Sequence, residues 1–193
     1  MPEKLRLRFE KTGRAIYISH LDLMRTMQRV FLRADCPLKY SEGFNPHALI
    51  SILLPLSVGV GSVCELMDFQ LREDVDLAAL PERLTAVMPE GIRALEAYPA
   101  GRKVRELKWL RVTGRYEYDR AEPAEMAQKL SAFYARDAIV ITRKTKRGEG
   151  QMDIVPAIAE LHIRPEDTCV TVEAVVSAQE PTLCLLYTSP SPR

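Results

Sequence analysis

Leu5-Arg6-Leu7-Arg8-Phe9 alternates apolar and charged residues with the period of a half-buried strand, and the next patterned stretch has a different period. Over residues 20–34 the apolar side chains Leu21, Met24, Met27, Val30 and Phe31 fall at helical spacing, with Arg25, Arg29 and Arg33 on another face. A chain that passes from period two to period 3.6 this early must layer helix on sheet. The apolar face of the strand and the apolar stripe of the helix each need a partner to bury against. Purely helical bundles and all-β sandwiches are thereby excluded.

The alternation of types continues. Residues 48–56 are apolar and β-branched, residues 65–71 alternate, and 76–88 carry Leu77, Leu80, Leu84 and Val87 on one side of a second helix. Pro81 falls in that helix's first turn or kinks it. A strand over 92–98 completes a βαββαβ order, the ferredoxin-like split unit. A strand at 109–118, a helix at 123–134, a short strand at 138–142 and a strand at 168–176 then partly restart the pattern. Pro156 interrupts 152–163, which reads as strand plus a short turn or helix. The expectation is an α+β fold of two ferredoxin-like units, 3–100 and 106–180, the second incomplete at its C-terminus. The Gly/Pro/Lys/Arg stretch at 99–106 is the linker.

Charge and cysteine usage narrow the functional classes. No apolar run approaches the roughly 20 residues of a membrane span, and no apolar segment follows the N-terminal charges, so a cytoplasmic protein without membrane contact is expected. Cys36, Cys64, Cys169 and Cys184 form no CxxC pair, so they read as buried reduced thiols, with no metal site and no cluster of this chain's own. The net charge is only +1, yet residues 102–151 hold 13 Lys/Arg against 7 Asp/Glu. Such a local field is what an anionic partner feels. The last ten residues, Cys184 to Arg193, resemble the translation of a DNA-library adapter and are expected to be non-native.

Three segments carry candidate chemistry. Tyr40-Ser41-Glu42-Gly43-Phe44-Asn45-Pro46-His47 sets polar and turn-forming residues around one aromatic. Tyr40, Glu42, Phe44, Asn45 and His47 are its candidate binding residues; the alternative is an ordered turn with Phe44 as its plug. Ser19-His20-Leu21-Asp22 opens the first helix, and Ser19, His20, Asp22 and Arg25 join the candidate set. If the 40–47 loop runs back along the helix, His20 and His47 share a cleft as an acid–base pair, which makes them the catalytic candidates. Ser19 lacks the G-x-S-x-G context of a hydrolase, and the histidines lack metal-motif spacing. The third segment is basic: Arg143, Lys144, Lys146 and Arg147 with Gly148 and Gly150 form a hairpin suited to RNA phosphates.

With those residues in place, the chain resembles the radical-SAM-linked protein family. The resemblance rests on Phe9, the Ile18-to-Arg25 segment, the Tyr40-to-His47 segment, then Pro55-Leu56, Gly59, Ser62 and Glu65. It continues through Lys144-Thr145-Lys146-Arg147-Gly148 and Met152-Asp153-Ile154. The chain departs from it after His47, where Ala48 and Leu49 replace Pro and a basic residue. The resemblance implies a radical SAM partner protein that itself uses SAM, an iron–sulfur cluster and B12, while this chain binds no cofactor. Three functions follow: an accessory that binds RNA for that partner, a pure protein–protein adaptor, or a metal-independent endoribonuclease of double-ferredoxin type using His20 or His47. The oligomeric state is not legible.

Overall fold

The computed structural model describes residues 4–119, 121–145 and 148–178. The ten C-terminal residues expected to be non-native lie outside the described residues. The chain forms an α+β protein of two compact units that meet between Val104 and Arg105.

The first unit runs β1 (Leu5–Lys11), α1 (His20–Arg33), β2 (Ile50–Leu53), β3 (Ser62–Phe69), α2 (Leu80–Thr85) and β4 (Ile92–Pro99). Its sheet order is β2-β3-β1-β4, antiparallel at every pairing. The first strand is central, so its alternation is fully used. Leu7 and Phe9 are completely buried, and opposite Leu5 and Leu7 lie Phe69 and Met67. Upon this layer α1 sets Leu23, Met27, Val30 and Phe31, with the Phe31 and Phe69 rings 4.9 Å apart.

The buried stripe differs from the expected one: Leu21 is 66% exposed and Met24 only half-buried. At about 3.6 residues per turn, Leu21 falls on the side of α1 away from Leu23, Met27, Val30 and Phe31, and Met24 on the flank of that stripe. The second helix is shorter than the 76–88 periodicity suggests. Asp76 Oδ1 accepts the Ala78 N–H at 2.9 Å and holds the preceding residues as a turn. Leu80 and Leu84 are fully buried all the same, each worth roughly 1.5–3 kcal/mol of burial.

Ser19 caps α1. Its Oγ accepts the Asp22 N–H at 3.2 Å and donates to Asp22 Oδ2 at 2.7 Å. Replacing Ser19 by Ala is expected to cost about 1 kcal/mol, and by Gly only a few tenths. Urea midpoints of the two variants check this ranking.

Among the described residues of this unit, four charged ones are buried: Arg6, Lys11, Glu65 and Asp68. Glu65 lies opposite Phe9, beneath the helices. Burial pushes its carboxyl up, against the pull of the Ser62 hydroxyl and the Lys11 charge, and burial pushes the Lys11 ammonium down. On the other face Arg6 and Asp68 pair directly. Beside them the opposite charges of β1 and β4 face each other across the strands as Arg8–Glu96 and Arg93–Glu10.

The second unit runs β5 (Trp109–Glu117), α3 (Pro123–Tyr134), β6 (Val140–Thr145), β7 (Gly148–Asp153), β8 (Ile158–Pro165) and β9 (Cys169–Ser177). The sheet is β5-β9-β8, covered by Met126, Ala127 and Leu130 of α3 packed on Val170 and Val172. Expected was a second strand of this sheet directly after the helix. Instead, among the described residues, β6 pairs only with β7 as a separate hairpin, on a small core of Ile139, Ile141, Ile154 and Ala157. A partner two residues away in sequence closes with less loop entropy than a strand across the unit. With that hairpin set aside, β5-β9-β8 repeats the order β1-β3-β2 of the first unit. Among the described residues, no helix is long and apolar enough to cross a membrane.

Candidate functional site

The segment after α1 is fastened by three sets of backbone bonds. Leaving the helix, Leu38 bridges Leu71, the Lys39 N–H donates to Gln70 O at 2.8 Å, and the Arg72 N–H to Pro37 O at 3.0 Å. Tyr40 bridges Ala48, the Leu49 N–H donates to Lys39 O at 2.7 Å, and the Ser41 N–H to His47 O at 2.8 Å. Finally the Gln70 N–H donates to Leu49 O at 3.1 Å. Residues 42–46 therefore project from a closed neck rather than wander. Gly43 has φ of 121°, a conformation L side chains rarely adopt.

Two hollows flank this neck. One, of about 600 Å³, is an open groove lined by Lys39, Tyr40, Ser41, Pro46, Leu71 and Arg72. The Arg72 guanidinium lies 5.7 Å from the centroid of the Tyr40 ring, which is itself 43% exposed. The other, of about 240 Å³, is lined by Lys4, His47, Ser51, Asp68 and Gln70 together with Ala48, Leu49, Ile50 and Phe69. Ser41 links the two: its Oγ accepts the His47 N–H at 3.1 Å and lies 2.8 Å from His47 Nδ1.

Phe44 does not act as a plug. At 112% relative exposure it plugs nothing and stands out from the loop tip. An aromatic ring left in water at the tip of a loop, whose fastened neck carries Lys39 and a second exposed aromatic, Tyr40, suits stacking against a flat ligand.

The expected single cleft is also corrected. Phe69, at the end of β3, pairs with Leu5, whereas Ser62, at its start, pairs with Lys11, the residue that leads toward α1. His20 lies at that second end and His47, bonded to Ser41, at the first. The fourteen residues of α1, about 20 Å long, begin at His20 and lead away from it before the chain reaches the loop. The closed neck keeps the loop from running back along the helix, so no acid–base pair of histidines forms. Ser19, Asp22 and Arg25 satisfy one another instead. Ser19 holds the Asp22 carboxyl below its usual value, and Arg25 Nη1 donates to Asp22 Oδ1 at 3.2 Å. Glu42 and Asn45 sit exposed in the projecting segment.

In the second unit the backbone places Arg143 and Lys144 on β6, opposite Gly150 and Glu149. Lys146 and Arg147 lie outside the described residues. Of the cysteines, Cys36 and Cys169 are buried as expected, but Cys64 is exposed. Burial pushes the Cys36 thiol up, the direction of an inert core residue. Among the described residues, no three His, Cys, Asp or Glu side chains gather as a metal site.

Lys4, Lys39, Arg72, Asp68 and Gln70 border the site without having been read as part of it. Only register brings them there. Lys39 adjoins the loop in sequence and could have been included, whereas Arg72 and Asp68 arrive from the far end of β3.

A sequence profile described as "uncharacterized protein conserved in bacteria" matches residues 4–184. No curated protein matches the chain.

Proposed function

This chain belongs to the DUF2344 family, and from that premise we propose that it is a non-catalytic accessory factor that binds single-stranded RNA. The observation that carries the reading is Phe44, fully exposed on a fastened loop whose neighbours are Tyr40, Lys39 and Arg72. Single strands offer every base as a flat face for stacking and a phosphate chain for cations, and this surface provides for both. The basic hairpin of the second unit supplies further charge by its composition and by its place on β6 and β7.

The partner we propose is a radical SAM protein, on the strength of the family resemblance carried by the segments at 18–25 and 40–47. Its SAM, iron–sulfur cluster and B12 would supply the reaction, while this chain holds the RNA in place. The setting we propose is the cytoplasm. The ribonuclease reading has no paired histidines to support it.

Replacing Arg143, Lys144, Lys146 and Arg147 together by Ala is expected to weaken binding to unrelated single-stranded sequences alike. It should reduce the magnitude of the salt slope by up to about 3, at roughly 0.7 per single-strand contact. Binding titrations between low and moderate salt measure both. An unchanged slope would remove the hairpin from the interface, and absence of any salt-dependent RNA binding in the wild-type chain would leave the protein–protein adaptor instead.

A further inference from the structure

We propose that the hollow of about 240 Å³ beside the loop is a phosphate subsite, in which Lys4 and His47 hold a phosphate group of the bound strand. This rests on the RNA-binding reading and gives it a register: bases on the Tyr40 and Phe44 side of the neck, a phosphate on the other.

His47 is oriented for such a contact. Ser41 Oγ accepts the His47 backbone N–H at 3.1 Å and lies 2.8 Å from His47 Nδ1, to which its hydroxyl can donate. With Nδ1 as acceptor, the ring proton sits on Nε2, and that nitrogen has no protein partner among the described residues. The imidazole thus offers an N–H donor whose direction is fixed by a second residue.

The charge also suits an anion. Lys4 is 56% exposed and contacts Asp68 Oδ2 at 2.8 Å, which leaves further ammonium N–H groups free to donate. Asp68 is held by Arg6 at 2.6 and 3.2 Å as well, so the three residues together carry one excess positive charge. A carboxylate engaged by two cations does not repel a phosphate as a free one would. Ser51 and Gln70 add hydroxyl and amide groups to the rim.

The test uses the full chain, inorganic phosphate followed by ³¹P NMR at constant ionic strength in chloride, and an unlabelled single-stranded oligoribonucleotide as competitor. Saturable broadening of the phosphate line is expected. It should weaken about tenfold in Lys4→Met and in His47→Ala, recover in His47→Gln, which keeps an N–H donor, and be reversed by the oligonucleotide. Circular dichroism confirms that each variant is folded. Broadening that does not saturate, or that is as strong in Lys4→Met and His47→Ala as in the wild type, overturns the subsite even when RNA binding itself persists. Phosphate that saturates the hollow but is not displaced by RNA overturns its place on the strand and assigns the hollow to free phosphate.

Discussion

Replacing Asp68 by Ala is expected to destabilise the first unit by about 3–5 kcal/mol, because it leaves the Arg6 guanidinium buried without its counter-charge. Arg6 is 7% exposed and Asp68 2%, and the pair is bidentate, with Arg6 Nη2 also donating to Arg102 O at 2.9 Å. At about 4–8 °C per kcal/mol for a unit of this size, the melting midpoint should fall by more than about 12 °C. Removing both partners is a different experiment. Arg6→Met with Asp68→Leu should recover much of the loss, since a buried ion pair is often replaceable by apolar groups of similar volume.

The same carboxyl sets an acid limit. Burial pushes Asp68 up, but the hydrogen bonds and charges of Arg6 and Lys4 outweigh it and hold the group below its usual value of 3.8. A lowered folded-state value means the contribution is fully present above the unfolded value and fades as pH falls through the folded one. Between pH 5 and pH 2 the wild-type chain should therefore lose this share of its stability, and Asp68→Asn should show a flatter profile. Denaturant midpoints across that window check the sign.

The second large effect is expected at Gly91, where the backbone turns from α2 into β4. Its φ is 85°, and a Cβ built there would lie 2.5 Å from Thr12 O and 2.9 Å from Ala15 Cβ. The Gly91 carbonyl accepts the Thr12 N–H at 2.7 Å, so the two turns are locked together and neither can give way freely. Gly91→Ala combines a left-handed conformation worth about 1–2 kcal/mol with a backbone clash, for a total of roughly 2–4 kcal/mol. Gly101→Ala, where nothing lies within 4 Å of the added carbon, serves as the control and should be nearly silent. Thermal midpoints of the two variants measure the difference.

Much of the first unit was legible because local pattern and global fold agree there. The alternation at Leu5–Phe9 marks the strand with partners on both sides, and the 3.6-residue repeat marks α1. The α3 helix runs over Pro123–Tyr134, where Pro123 stands in its first turn and Met126 and Leu130 face inward. The second unit was harder to read. Val140 to Thr145 has strand composition whichever strand it pairs with, and composition does not say that the partner is the local hairpin. The site was legible in part for a related reason. Gly43 and the Asn45-Pro46 step announce a loop with special backbone needs. Phe44 carries no mark that separates a core plug from an exposed ring. The separation of His20 from His47 is decided by hydrogen bonds such as Ser41 N–H to His47 O, which no side-chain pattern encodes.

The central claim is that the fastened loop stacks on single-stranded RNA. Its most direct measurement compares the affinity of the wild-type chain and of Tyr40→Ala/Phe44→Ala for one fluorescent single-stranded oligoribonucleotide and for its duplex. Each base–aromatic stack is worth about 1–3 kcal/mol, so the double variant should bind the single strand at least about 30-fold more weakly, while its affinity for the duplex scarcely changes. A folded double variant that binds the single strand as tightly as the wild type would contradict the account.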